Sequence, residues 1–224
     1  MSEFIFMLTN HDRTVDNARE VLEQVKTTGL QHIGFKDVGA TAAKQRELAD
    51  AAHDAGLTVY LEVVSVDKAD EMNSIDAAKA AGVDWILGGK FARDAVAKLD
   101  GTNIKLAPFP GRIIGHPSVL EGTIEEIAAH AAELTSIPGV SGVDLLAYRH
   151  GTVDVLELTA AVVTASHGPV IAAGSVVSEA QIKGLAEAGA WGFTIGSAIF
   201  DGVLPGDKDV VSQVRTGLAF AAGA

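Results

Sequence analysis

Hydrophobic and polar positions along this chain fall into one unit that recurs from end to end. A short apolar, β-branched run is followed by turn residues, then by an amphipathic stretch rich in Ala, Glu and Lys, and often by Gly. The first part has the composition of a strand and the second the 3.6-residue spacing of a helix. Eight such units can be counted. Strands are predicted near 4–9, 32–36, 58–64, 85–89, 104–108, 142–147, 170–173 and 192–195. Helices are predicted at 15–28, 42–55, 69–81, 92–99, 124–135, 153–165, 179–188 and 208–220. Gly29, Gly56, Gly82 and Gly189 stand where helices should end, and Ser178 stands where the seventh helix should be capped.

Regular β-α alternation implies a parallel sheet with helices outside it. Spread over 224 residues, eight units take about 28 residues each, which favours a closed (β/α)8 barrel over an open doubly wound sheet. Nothing in the composition marks a linker, so 1–224 reads as a single barrel domain. The longest connection, 109–123, carries Gly111, Gly115 and Gly122 and is expected to act as a mobile lid.

Composition narrows the class of function. The chain is 48% hydrophobic, yet its apolar runs are far shorter than a membrane span needs. The start, Met1-Ser2-Glu3-Phe4, shows no signal-peptide pattern, and a cytoplasmic location is expected. Without cysteine there are no disulfides and no thiol chemistry. A net charge of −12 argues against nucleic acid and anionic lipid as partners. It also means that any anionic ligand must be held by local groups.

Two late segments carry the clearest chemical signal. Val170-Ile171-Ala172-Ala173-Gly174-Ser175 and Gly192-Phe193-Thr194-Ile195-Gly196-Ser197-Ala198-Ile199-Phe200 each place a Gly-Ser pair directly after a strand. Glycine lets backbone N–H groups approach an anion, serine adds a hydroxyl donor, and a short helix beginning near Ser197 would aim its N-terminus at the same spot. The plainer reading is that Gly174 and Gly196 only make tight turns. With both pairs present, the segment resembles the ribulose-phosphate-binding barrel superfamily, which includes sugar-phosphate epimerases and the barrels of tryptophan and histidine biosynthesis. The match is specific over 169–201 and architectural elsewhere. It implies that Gly174, Ser175, Gly196 and Ser197 bind phosphate. The paired His and Asp metal ligands of ribulose-phosphate epimerases are not found here. The Asp-x-Lys-x-x-Asp motif of the decarboxylase branch is also missing. A strand-four lysine is similar to that of transaldolase-like aldolases, but its surroundings do not match.

Strand alternation then selects the residues that face inward. Ile33 and Phe35 read as facing the helices, which turns Lys36 inward; Glu62 also reads as inward. Taking Trp85 and Leu87 as outward turns Lys90 in, giving a Lys36–Glu62–Lys90 row across the barrel mouth. The alternative is a buried ion network that only sets packing. Crowded lysines would lower one another's pKa and favour nucleophile or base chemistry. Of Asn10-His11-Asp12, one or two members should reach the site. Arg149 is expected either to hold substrate or to pair with Asp144 or Asp154 at the surface, and His116 in the long connection is a further substrate-binding candidate. Asp37 should point away, His32 should lie in the core, and Tyr60 should contribute to the site floor.

These readings point to an enzyme of a small phosphorylated sugar or sugar acid, moving a proton next to a carbonyl as an isomerase or epimerase does. Glu62 would be the base, with Lys36 and Lys90 stabilising the enediolate. A class I Schiff-base aldolase or lyase and a non-catalytic phospholigand-binding barrel remain as alternatives. No cofactor and no metal are called for, the partner is a small phosphorylated metabolite, and a homodimer is compatible with the fold.

Overall fold

The computed structural model describes residues 2–65 and 67–224. The chain begins with strand β1 (Glu3–Met7), followed by a small hairpin of β2 (Thr9–Asn10) and β3 (Arg13–Thr14), then helix α1 (Ala18–Val25). Strand β4 (His32–Lys36), α2 (Ala42–Asp54), β5 (Thr58–Val63), α3 (Lys68–Ala81), β6 (Trp85–Gly88), α4 (Ala92–Leu99) and β7 (Lys105–Ala107) come next. A second hairpin, β8 (Arg112–Ile114) and β9 (Val119–Glu121), precedes α5 (Ile124–Ser136). The last third holds β10 (Val143–Leu145), α6 (Val155–Ala165), β11 (Val170–Ala172), α7 (Glu179–Glu187), β12 (Gly192–Ile195), the short α8 (Ser197–Phe200) and α9 (Val210–Ala222).

Eight of these strands form one parallel sheet in the order β10-β11-β12-β1-β4-β5-β6-β7. Its two ends meet, because Ser141 N–H donates to Leu106 O at 2.7 Å and Asp144 N–H to Pro108 O at 3.1 Å. The expected (β/α)8 barrel is therefore the fold, with helices outside. The predicted caps form as well: Ser178 Oγ accepts from Gln181 N–H, and Gly82 ends α3 in the left-handed conformation.

Register decides what faces inward, since partners in a parallel pair share a face of the sheet. Met7 pairs with Gly34, Gly34 with Tyr60, and Tyr60 with Trp85. One level higher, Lys36 pairs with Glu62, Glu62 with Leu87, and Leu87 with Ala107. Ile5, Met7, Tyr60, Trp85, Leu87, Ala107 and Ile171 pack together as the barrel's interior. Trp85 and Leu87 thus point into the barrel, the reverse of the sequence expectation. Both faces of a parallel barrel strand are buried, so apolarity alone does not reveal direction in Trp-Ile-Leu.

The lower interior is filled by rings. Tyr60 stacks on Trp85 at 6.0 Å and Trp85 on Trp191 at 6.3 Å, with His32 edge-on to both Tyr60 and Trp191. Tyr60 Oη and His32 Nδ1 are hydrogen-bonded at 3.0 Å, and burial lowers the His32 pKa. Tyr60 therefore belongs to this plug at the closed end and does not line the cavity at the other end.

The 109–123 connection is a packed hairpin. Ile113 and Leu120 are buried in the second core cluster, Gly111 N–H donates to His130 Nδ1 at 2.9 Å, and His150 Nε2 bonds Gly122 O at 2.8 Å. Among residues 112–121, exposure is concentrated toward the tip that carries Gly115 and His116.

Candidate active site

At the C-terminal mouth of the barrel lies a cavity of about 240 Å³. Its floor is charged. Lys36 Nζ donates to Asp12 Oδ1 at 2.6 Å and lies 3.3 Å from Glu62 Oε1. Arg149 grips the same Asp12 with both terminal nitrogens, at 3.0 Å to Oδ2 and 2.7 Å to Oδ1, and reaches Ser118 O at 3.4 Å. Lys36, Glu62 and Asp12 are all buried, and Arg149 is largely so.

Asp12 reaches this position through the β2–β3 hairpin. His11 (φ 46°) and Asp12 (φ 59°) both take the left-handed conformation that a tight hairpin turn requires. Thr14 anchors the hairpin, since its hydroxyl donates to Lys36 O at 2.8 Å and accepts from Lys36 N–H at 2.9 Å. The turn thereby folds the carboxyl back over the lysine on the neighbouring strand.

The electrostatics follow from these pairs. Burial pushes the Asp12 carboxyl up, but hydrogen bonds from Arg149 and the charge of Lys36 outweigh it and hold the group at about 2. Burial works against the Lys36 ammonium, but the charges of Glu62 and Asp12 prevail and raise its pKa. The expected lowering of a lysine pKa by crowded cations does not occur, because Lys36 has carboxyl groups as its immediate partners. Behind the floor lies Asp144, on β10, fully buried and with neither carboxyl oxygen hydrogen-bonded. Burial, reinforced by the charge of Glu62, pushes it well above the carboxylate range against the pull of Lys36 and Arg149. It is an interior group, in contrast to the surface position expected from the sequence.

The rim opposite the floor is built by the two Gly-Ser loops, so Gly174, Ser175, Gly196 and Ser197 all line the cavity. Among the described residues, the backbone N–H groups of Ser175, Val176, Ser197 and Ala198 donate to no backbone or side-chain acceptor. Ser197 Oγ accepts from His11 N–H at 3.0 Å, which leaves its own proton free to donate. Both glycines are also sterically required. Gly174 has φ 77°, and a Cβ there would overlap Arg149 Nε and stand 2.8 Å from Arg149 Cδ. A Cβ on Gly196 would overlap Thr9 Oγ1 and stand 2.7 Å from Thr9 O. Tight packing, which is the plainer reading of these glycines, holds alongside their place at the rim.

Other candidates lie elsewhere. Lys90 is exposed and lines a separate depression on the outer side with Arg93, His130 and Glu133. The chain turns away after β6 through Gly88 and Gly89, both at positive φ, and Glu71 holds the turn by accepting from Lys90 N–H and Phe91 N–H. The Lys36–Glu62–Lys90 row is therefore replaced by Asp12–Lys36–Glu62, with Arg149 beside it. Asn10 stands at the edge, its amide donating to Asp201 Oδ1 at 3.3 Å, while His11 and His116 are exposed outside the cavity. Asp37 points away from the cavity, as expected, and accepts from Ser65 and Ser74.

No protein-family model matches the chain, and no curated protein does. Several solved structures are similar in fold. One is orotidine 5'-phosphate decarboxylase from Pyrococcus horikoshii, at 15% identity over 99% of this chain and 100% of that one, with a TM-score of 0.67. Another is N-(5'-phosphoribosyl)anthranilate isomerase from Pyrococcus furiosus, at 16% identity over all of both chains, with a TM-score of 0.59. A third is the YdjI aldolase from Escherichia coli, at 14% identity over 99% of this chain and 89% of that one, with a TM-score of 0.61. The likeness to known (β/α)8 barrels stands at the level of fold. Three names with three different reactions share that fold, so the chemistry must be argued from the cavity.

Proposed function

We propose that this chain is an enzyme of a small phosphorylated sugar or sugar acid, and that it moves a proton on the carbon next to a carbonyl. The observation that carries this reading is the pairing of Lys36 with Glu62 on the floor of a cavity rimmed by two Gly-Ser loops. A phosphate seated against the free N–H groups of Ser175, Val176, Ser197 and Ala198 would direct the rest of the substrate toward that pair. Glu62 would take the proton. Lys36, which has three N–H donors, spends one on Asp12 and keeps another for the developing enediolate oxygen. Arg149 positions Asp12, and Asp12 holds the ammonium in place.

The raised pKa of Lys36 disfavours the Schiff-base alternative, because an imine forms from the neutral amine. A panel of aldose and ketose phosphates tests the proposal with and without borohydride. Turnover without covalent trapping supports proton transfer, trapping at Lys36 selects the aldolase, and tight binding with neither selects a binding protein. Glu62→Gln should lower turnover by about 10²–10⁴-fold while binding is retained; a variant as active as the wild type would remove Glu62 from the mechanism.

A further inference from the structure

Resting on the phosphate-site reading, we infer that the substrate carries its phosphate as its sole anionic group and presents an uncharged carbonyl or polyol end to the floor, which narrows the class from sugars and sugar acids to neutral sugar phosphates. The charged groups lining the cavity are Lys36, Arg149, Asp12, Glu62 and Asp201. Two cations thus face three carboxyl groups. Both cations are already engaged, Lys36 between Asp12 and Glu62, and Arg149 by its bidentate grip on Asp12. The remaining guanidinium nitrogen, Nε, is buried without a partner and faces Gly174 rather than open space.

A carboxylate on the ligand, as a second anionic group beside the phosphate, would arrive with no unpaired cation to meet it. It would sit beside Asp12 and Glu62 in a partly desolvated site, where like charges repel more strongly than in water. A carbonyl or hydroxyl oxygen meets no such penalty, since Lys36 has an N–H to offer it and Glu62 can accept from a hydroxyl. Phosphate escapes the same objection because the rim offers it neutral donors, the free backbone N–H groups of both loops and the hydroxyl of Ser197.

The test is calorimetric titration of the whole chain with matched ligands. Dihydroxyacetone phosphate is compared with 3-phosphoglycerate, and ribose 5-phosphate with 5-phosphoribonate, with inorganic phosphate as reference. The expected result is that in each pair the acid binds at least about tenfold more weakly. Acids that bind as tightly as their neutral partners overturn this inference and leave the phosphate site standing. Failure of all five ligands, inorganic phosphate included, overturns the phosphate site and the inference with it. Asp12→Asn adds a second reading, since asparagine tolerates the left-handed turn. Releasing Arg149 from its carboxylate should narrow the gap between acid and neutral ligand by about tenfold; an unchanged gap in a folded variant would show that the paired cations are not what excludes the acid.

Discussion

Gly174→Ala probes the packing of the site most directly. At φ 77° an alanine pays the left-handed penalty of about 1–2 kcal/mol, less a few tenths recovered from a stiffer unfolded chain. The new methyl would also overlap Arg149 Nε and displace the guanidinium from Asp12. Breaking a buried ion pair costs about 3–5 kcal/mol, and Arg149 is partly exposed, so about 2 kcal/mol is the expected share here. The total is about 3 kcal/mol, or a fall in Tm of about 6–12 °C for a chain of this size. A double-mutant cycle separates the two contributions. Urea unfolding of the wild type, Gly174→Ala, Arg149→Ala and the double variant should give a coupling of about 2 kcal/mol, with Gly174→Ala costing only the backbone strain once Arg149 is shortened. Equal costs in both backgrounds would refute the idea that Gly174 is glycine to make room for Arg149.

Three further outcomes are expected. Lys36→Met should lower turnover by at least about 10²-fold, whereas Lys90→Met, on the outer side, should stay within roughly twofold of the wild type; the reverse ranking would restore Lys90 to the site. The folded pKa of Asp12 is depressed, so its contribution to stability is present above the unfolded value near 3.9 and is lost as pH falls toward 2; Tm measured from pH 5 to 2 should therefore decline less steeply in Asp12→Asn. Asp144 has the opposite sign, because the fold holds a proton that the unfolded chain releases. Its presence should make stability fall as pH rises above about 3.9, and Asp144→Asn should flatten that slope; parallel Tm–pH curves would contradict the buried protonated state.

How far the site could be read from sequence varied strand by strand. In β4 and β5 a charged side chain alternates with apolar ones, so Lys36 and Glu62 could be aimed correctly inward from the pattern. In β6 both faces are apolar, and only the register with β5 and the stacking of Trp85 on Tyr60 and Trp191 show which way Trp85 points. That single phase error carried Lys90 into the site. Asp144 had a usable signal, an acid centred between Val143 and Leu145, both of which are fully buried. Asp12 had a weaker one: Asn10-His11-Asp12 reads as a strand end, and only the paired positive φ angles reveal the hairpin that turns the carboxyl inward. The long connection lacked helical or strand periodicity of useful length, yet Ile113 and Leu120 bury themselves as a hairpin.

The chain has two tryptophans, and both lie in the ring stack at the closed end of the barrel. Intrinsic emission from this protein is therefore a gauge of barrel closure. It should shift sharply when the strands separate, as the plug opens to water. Events at the opposite mouth, where Lys36 and the Gly-Ser loops lie, should leave it nearly unchanged. Unfolding curves recorded in the presence of a ligand can then be read without correction for a binding signal, while binding itself has to be followed by heat or by a probe placed on the rim.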